Sequence, residues 1–277
     1  MNKGICLFAQ KNERSDYYKQ AVACAMSIKS FNPDEKICLI TDMKVAKADE
    51  KYFDVVKDIP GKDLSTNSTW KIENRSKIYN TSPFERTIVL DVDMLVLENL
   101  QNFWTLLEPY ELFYTNKVKT YRNEIANDDF YRKVFVHNQL PNVYCGLHYF
   151  KKSASNEKFY ALVSDVVTNY KEYSERFANN FKQTWCSMDV ATAIAIKLLN
   201  KEHQVFSKSN VLTFTHMKPK IQNWKADVKN WTAYIDYNFN RHKELAVGNI
   251  IQTGIFHYVE DNFVNEQLME NLKWNHL

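Results

Sequence analysis

The sequence predicts an α/β protein whose central sheet is mostly parallel and flanked by helices. Short apolar runs alternate with longer stretches in which apolar residues recur at helical spacing. The short runs are almost continuously apolar, which is typical of strands covered on both faces. The 277 residues contain 45% hydrophobic side chains, no internal repeat and no Pro/Gly-rich linker. We therefore expect a single domain over 1–277 with a large core.

The first half of the chain begins with alternating strands and helices. After the first apolar run, Ser15 or Asp16 can cap a helix whose apolar face carries Ala21, Ala25 and Ile28. The predicted strands of this half lie at 4–9, 36–40, 54–56 and 86–92.

The second half continues the pattern with longer helices. The predicted strands lie at 111–114, 144–150, 211–214 and 250–256. Helices are predicted in this half at 157–177, 188–199 and 262–274, and in the first half also at 70–79. The last helix places Val264, Leu268 and Leu272 on one face. Its few charges nearly cancel, which argues against docking on a membrane.

The glycines exclude two common ways of binding phosphate. The chain has only five glycines, Gly4, Gly61, Gly146, Gly248 and Gly254, and they are widely separated. G-x-G-x-x-G and Walker A loops need clustered glycines to bring backbone N–H groups against phosphate. A dinucleotide-binding dehydrogenase and a P-loop ATPase are therefore excluded, and any bound nucleotide must be held by other groups.

Cysteine usage and charge predict a cytoplasmic protein. The five cysteines form no C-x-x-C pair, which argues against a zinc site, and their odd number fits a reducing compartment. No apolar stretch is long enough to cross a membrane, so we expect no membrane insertion. The net charge of +3 permits an acidic partner without requiring one. No pattern in the sequence indicates an oligomeric state.

Two aspartates follow the strongest predicted strand. Asp91 and Asp93 stand one residue apart in RTIVLDVDMLV, so the period of two along a strand directs both carboxylates to the same side. Carboxylate oxygens at this position suit Mg²⁺ or Mn²⁺, and such ions commonly complete their coordination with substrate phosphates. The alternative is a D-x-D turn that only ends the strand.

The stretch SPFERTIVLDVDMLVLENL resembles the D-x-D region of GT-A glycosyltransferases, particularly family 8 and its relatives. The resemblance implies a GT-A fold, a nucleotide-sugar donor and a divalent metal, Mn²⁺ or Mg²⁺. It also implies a nucleotide-sugar-binding half, 1–115, and an acceptor-binding half, 116–277. In this resemblance GICLFAQ is the first strand, and Phe8, Ala9 and Gln10 at its end contact the nucleotide base.

The same resemblance assigns the remaining site residues. Arg75 and Lys77 are similar to the basic residue placed near the donor diphosphate, and YCG at 144–146 resembles an N-S-G strand with Tyr in place of Asn. Asp189 opens a helix near the reaction centre and is the candidate catalytic carboxylate, although a carboxylate there also suits the helix dipole. His257, in IFHY, is implied as a metal ligand. His216 and Lys218 are expected on the diphosphate or acceptor side, and the two histidines could exchange roles.

Two polar segments offer further candidates. The segment 216–231 carries lysines interleaved with tryptophans, which suits phosphate contacts and stacking, or else is a solvated loop with its tryptophans packed inward. The segment 117–133 is either a lid over the donor or a surface loop.

Together these features predict a metal-dependent glycosyltransferase. The leading acceptor prediction is hydroxymethylated cytosine in double-stranded bacteriophage DNA, because the composition resembles that of AT-rich phage genomes and the second half is basic and aromatic. One alternative is a bacterial glycosyltransferase acting on a surface glycan such as lipooligosaccharide or capsule. Another is a non-catalytic module that binds nucleotide-sugar or DNA.

Overall fold

The computed structural model describes residues 2–62, 71–126, 132–207, 212–218 and 230–274. The central sheet has six strands, in the order β3-β2-β1-β4-β7-β6. Their bounds are β1 Lys3–Ala9, β2 Ile37–Thr41, β3 Val55–Asp58, β4 Arg86–Leu90, β6 Leu112–Thr115 and β7 Tyr144–Lys151. The pairs β3–β2, β2–β1 and β1–β4 are parallel, whereas β7 runs antiparallel to its neighbours β4 and β6. The prediction of a mixed α/β fold with a mostly parallel sheet is confirmed.

Two smaller sheets flank this one. The first joins β5 Met94–Val96, β12 Ile255–His257 and β8 Thr215–His216, with β12 in the middle. The second is an antiparallel meander of β9 Tyr237–Phe239, β10 Leu245–Val247 and β11 Ile250–Gln252. The helices are α1 Tyr17–Phe31, α2 Ile72–Arg75, α3 Ile78–Thr81, α4 Gln101–Leu107, α5 Lys133–Asn138, α6 Ala154–Thr168, α7 Tyr170–Phe177, α8 Met188–Leu198, α9 Glu202–Val205 and α10 Glu266–Trp274.

Both faces of the central sheet are buried, which explains its continuous apolar strands. Ile5 and Leu7 of β1 point into a core formed with α1, α4 and α10, while Cys6 between them points into a second core formed with α6 and α8. Asp16 caps α1 by accepting a hydrogen bond from the Lys19 amide at 3.0 Å, as predicted. Leu268 and Leu272 of α10 lie in the first core, so the apolar face of this helix packs on the protein.

The structure corrects several predicted boundaries. The helix predicted at 70–79 is two short helices, α2 and α3, separated by a turn at 76–77, and residue 70 lies outside the described residues. The long helix at 157–177 begins earlier and is divided at Asn169, which leaves the helical conformation (φ −107°, ψ 32°).

The late strands also differ from prediction. The strand at 250–256 is two strands, because Gly254 adopts a left-handed conformation (φ 74°) between β11 and β12. The strand predicted at 211–214 begins later, at Thr215, where β8 starts, and residue 211 lies outside the described residues. Several elements were not predicted from sequence, including β5, α4, α5 and the first two strands of the meander. They are short, and contacts with the rest of the fold stabilise them more than any local pattern. Among the described residues, no helix combines the length and apolar character needed to cross a membrane.

Candidate active site

The two aspartates lie on a connection between two sheets. β4 of the central sheet ends at Leu90, and the Asp91 amide donates to the Gly146 carbonyl of β7 at 2.9 Å. The chain then enters β5, which pairs antiparallel with β12 so that Met94 stands opposite His257. Asp93, one residue before β5, accepts at its carbonyl from the Tyr258 amide at 3.2 Å. Backbone pairing therefore brings together Asp91, Asp93 and His257, which are far apart in sequence.

These three side chains form a candidate metal centre. One ligand atom from each residue lies within 4.8 Å of the others. Asp93 Oδ2 lies 2.8 Å from His257 Nε2. The Nδ1 atom of His257 is buried and has no hydrogen-bond partner among the described residues. Two carboxylates and an imidazole fit Mn²⁺ well and are also compatible with Mg²⁺, which usually takes fewer protein ligands and more water.

Charge distribution supports this arrangement. Burial opposes ionisation of Asp93, but the neighbouring His257 and Arg75 hold the pKa of its carboxyl below the usual range. Burial likewise opposes protonation of His257, but Asp93 and Asp91 raise the pKa of its imidazole. The Asp93 carboxylate is thus held in its ionised form, which is the form that binds a cation.

Arg75, at the end of α2, forms an ion pair with Asp91. It lines both neighbouring cavities, and 31% of its side chain is exposed. Lys77, which sequence grouped with Arg75, lines neither cavity and donates to Asn74 Oδ1 at 3.2 Å. The structure therefore brings only Arg75 to the metal centre.

A cleft of about 480 Å³ opens on one side of the centre. Phe8 and Gln10, at the end of β1, line it, whereas Ala9 is fully buried and does not. Gln10 accepts a hydrogen bond from Asn74 Nδ2 at 3.2 Å. Tyr17, at the start of α1, lines this cleft and also the second cavity. Two of the three residues that the resemblance implies near the nucleotide base therefore line this cleft.

A second cavity of about 370 Å³ adjoins the first at the metal centre, and Asp189 lines it. Asp189 is in the first turn of α8, which Ser187 caps by accepting from the Val190 amide. Its Oδ2 lies 2.8 Å from Arg132 Nη1, and its Oδ1 accepts from the Cys145 amide at 2.9 Å. Burial opposes ionisation, but Arg132 and this amide hold the pKa of Asp189 below its usual range. Asp189 is therefore ionised at neutral pH.

His216 stands beside His257. The two are register partners of parallel strands β8 and β12, and their rings stack with centroids 4.6 Å apart. Burial, together with nearby His257, Lys218 and Arg132, places the pKa of His216 well below the usual range, so its ring is neutral. His216 and Lys218 line both cavities, but in the described part of the chain His257, not His216, belongs to the metal cluster.

The chain is similar in structure to solved glycosyltransferases. The galactosyltransferase LgtC, crystallised with donor and acceptor sugar analogues, is 12% identical, with 99% of this chain and 95% of LgtC covered and a TM-score of 0.52. An active-site mutant of LgtC is 14% identical over the same shares, also with a TM-score of 0.52.

The chain has the GT-A fold.

A third structure, mouse xyloside xylosyltransferase 1, is 12% identical and has a TM-score of 0.48. The match covers 75% of this chain and 84% of the xylosyltransferase chain. No protein-family model and no curated protein sequence matches the chain.

Within the GT-A fold, the described parts of the two polar segments contact the rest of the protein. Trp231 is fully buried and donates to the Tyr258 carbonyl at 2.8 Å, so it packs inward and does not stack on a ligand. Residues 219–229, with the other tryptophan and most of the lysines, lie outside the described residues.

The segment proposed as a lid contacts the small sheet that contains β8. Lys119 forms a β-bridge with Thr215, and its backbone amide donates to the Phe214 carbonyl at 2.9 Å. Residues 127–131 lie outside the described residues.

The residues that line the cavities include three large side chains that were not predicted from sequence. Arg132 lines the 370 Å³ cavity, and Tyr17 and Trp185 line both. Trp185 is 54% exposed, which is unusual for a tryptophan. Its position shortly before the Ser187 cap was the one available signal, because a helix that opens on a site often has binding residues in the preceding loop.

Proposed function

We propose that the protein is a metal-dependent glycosyltransferase, which moves a sugar from a nucleotide-sugar donor to an acceptor hydroxyl. The observation that carries this proposal is the cluster of Asp91, Asp93 and His257 between two clefts, with Arg75 beside it. The GT-A fold supports the same conclusion. The 480 Å³ cleft would take the nucleotide, with Phe8 and Gln10 near the base.

The reaction requires stabilisation of the departing nucleoside diphosphate. Asp91, Asp93 and His257 would hold Mn²⁺ or Mg²⁺, which when bound supplies positive charge to the diphosphate oxygens. Arg75 and Lys218 line the same cleft and would contribute cationic hydrogen-bond donors to those oxygens. Neutral His216 can donate or accept one hydrogen bond there. This scheme needs no glycine-rich loop.

Asp189 is the proposed carboxylate on the sugar side. As the sugar leaves, its anomeric carbon acquires positive charge, and an ionised carboxylate in the 370 Å³ cavity would stabilise it or orient the acceptor hydroxyl. The low pKa of Asp189 favours electrostatic stabilisation over proton abstraction, because a weak base removes protons poorly.

For the acceptor, a carbohydrate hydroxyl is the better-supported class. Trp185 lines both cavities, and its exposed aromatic face suits the apolar face of a sugar ring on the acceptor side. LgtC, with the same fold, binds an acceptor sugar analogue. A surface glycan is therefore our first acceptor proposal. Hydroxymethylated cytosine in phage DNA is the second, and it rests on composition and on lysines that lie mostly in 219–229.

Release of nucleoside diphosphate from a panel of nucleotide-sugars tests the proposal. With Mn²⁺ we expect slow hydrolysis of one donor, loss of that release with EDTA, and loss in Asp91→Asn and Asp93→Asn. Exposed Asp58→Asn is the matched control and should retain activity. A protein that binds the donor but releases no diphosphate, with oligosaccharide or with hydroxymethylated duplex DNA present, is a non-catalytic module. Mass spectrometry of the two acceptors distinguishes carbohydrate from DNA.

A further inference from the structure

Arg132 is a buried arginine beside the sugar-side cavity, and the scheme above gives it no role. Only 6% of its side chain is exposed. Its guanidinium lies between the rings of Phe135 and Tyr144, with Cζ 4.0 and 4.1 Å from the two ring centroids. Burial of a cation is costly unless charge and hydrogen bonds compensate for the lost water. The arrangement around Arg132 supplies both.

The guanidinium donates to three acceptors. Nε donates to Asn142 Oδ1 at 2.9 Å, Nη1 donates to Asp189 Oδ2 at 2.8 Å, and Nη2 donates to the Val143 carbonyl. Because the fork is planar and rigid, three acceptors and two stacked rings fix it in one orientation. A lysine would keep the charge but could not satisfy all three acceptors in this geometry.

Asp189 is consequently held from two sides. Arg132 binds one carboxylate oxygen and the Cys145 amide binds the other. Each oxygen retains a second lone-pair site, and 28% of the side chain remains open to the cavity. The next residue, Gly146, binds the Asp91 amide through its carbonyl, so the same strand segment supports Asp189 and the metal centre.

We propose that Arg132 is a positioning residue that holds the Asp189 carboxylate in the orientation needed at the reacting sugar. This inference rests on the proposed function and adds a residue to it. In this role Arg132 acts through Asp189, and it is not among the residues of the candidate metal centre. Its loss should therefore lower turnover while donor and metal binding persist.

Five proteins test the inference: wild type, Arg132→Met, Arg132→Lys, Asp189→Asn and the double variant Arg132→Met/Asp189→Asn. Arg122→Met is the matched control, because Arg122 is exposed, lines neither cavity, and its guanidinium donates to the neighbouring Tyr121 hydroxyl at 3.1 Å. For each protein, kcat, donor KM, Mn²⁺ affinity and Tm are measured. The double variant removes both charges together, so it preserves folding if Arg132→Met alone leaves an unpaired buried carboxylate.

We expect Arg132→Met to lower kcat about 100-fold, as misplacement of a reacting group by about 1 Å does. Donor KM and Mn²⁺ affinity should change by less than about threefold, because the residues that bind the donor and the metal before the reaction are unchanged. Arg132→Lys should recover part of the lost kcat. The double variant should be no slower than Asp189→Asn, because two residues that act as a unit are not additive.

The inference would be overturned by wild-type kcat in Arg132→Met, or by a double variant whose loss is the product of the two single losses. A change confined to Tm and KM would also overturn it, since that result indicates a structural role only. If wild type releases no diphosphate from any donor, the proposed function fails and the inference with it. If wild type is active and Arg132→Met is equally active, the inference alone fails.

Discussion

Gly146 and Asp91 pack against each other so closely that no side chain fits between them. A Cβ built on Gly146 would lie 3.1 Å from Asp91 Oδ2 and 2.7 Å from Met94 Cε. The Gly146 carbonyl also accepts the Asp91 amide hydrogen at 2.9 Å. This strand of the central sheet therefore fixes both the backbone and the carboxylate of one proposed metal ligand.

Gly146→Ala should consequently damage the metal centre more than the fold. The added methyl group would require Met94 Cε to shift and would press on the Asp91 carboxylate, which must give by a few tenths of an ångström. Overpacking of this kind costs about 1–3 kcal/mol of stability. We expect at least a tenfold loss of Mn²⁺ affinity, of the size seen when a metal site loses its support, about 10–100-fold. Titration of Mn²⁺ by electron paramagnetic resonance measures it.

Gly4→Ala is the control for this substitution. Its Cβ would lie 2.5 Å from Phe84 Cζ and 2.7 Å from the Lys36 carbonyl, remote from the centre in β1. It should lower Tm and leave Mn²⁺ affinity unchanged. Equal Mn²⁺ affinity in Gly146→Ala and wild type would contradict the inference that close packing of Gly146 fixes the Asp91 carboxylate for metal binding.

His257→Gln should change which metal the protein prefers. Imidazole nitrogen favours transition metals such as Mn²⁺, whereas an amide oxygen is compatible with Mg²⁺. We expect the ratio of Mg²⁺ to Mn²⁺ dissociation constants to fall about tenfold, the lower end of the usual effect on metal sites. Competition of Mg²⁺ against bound Mn²⁺ gives this ratio. His216→Gln is the comparison, and a larger effect there would make His216 the ligand.

Arg75→Met should weaken binding of nucleoside diphosphate. A charge-assisted hydrogen bond contributes about 1.5–3 kcal/mol, so affinity should fall about 10–100-fold at saturating Mn²⁺. Lys77→Met is matched in charge and lies only two residues away, but Lys77 lines neither cavity. It should bind the diphosphate as wild type does. Calorimetry with both variants decides the assignment, and equal losses would restore the sequence-based pairing of the two residues.

Trp185→Ala should weaken acceptor binding. The indole is 54% exposed and lines both cavities, and in the acceptor-side cavity stacking on an aromatic ring contributes about 0.5–1.5 kcal/mol. We expect acceptor KM to rise several-fold, and donor hydrolysis without acceptor shows whether the nucleotide cleft depends on Trp185 as well. Tyr234, 68% exposed and outside both cavities, supplies the control variant Tyr234→Ala. Unchanged acceptor KM would remove Trp185 from the acceptor site.

Asp54→Asn should destabilise the fold in a pH-dependent way. Burial opposes ionisation of Asp54, but Lys36 at 2.8 Å, the Ile37 amide and Lys29 at 3.0 Å hold its pKa below the usual range. A carboxyl with a depressed pKa in the folded state stabilises the protein above its unfolded pKa, and the contribution disappears as pH falls through the folded value.

At neutral pH the variant should lose about 1 kcal/mol of unfolding free energy, the typical size of one lost hydrogen-bonded interaction. The difference from wild type should shrink below about pH 4, near the unfolded pKa of Asp. Urea unfolding across this range measures it, with exposed Asp58→Asn as a control. A constant difference from pH 3 to pH 7 would contradict the assigned cause.

Local pattern alone was sufficient for the fold class, β1, β2, β4, α1, α8 and the position of Asp91 and Asp93. These elements carry long apolar periodicity or explicit caps, such as Asp16 and Ser187, whose preferences act over a few residues. The likeness of short motifs added His257, which the structure places with the two aspartates.

Only the tertiary structure decided which distant side chains meet. Pairing of β5 with β12 joins Asp93 to His257, and the fold separates Arg75 from Lys77, which are neighbours in sequence. Arg132 and Trp185 reach the cavity from loops that carry no periodic pattern. Sequence periodicity reports the face of an element that is buried, but the partner across that face depends on strand order and register, which non-local contacts determine.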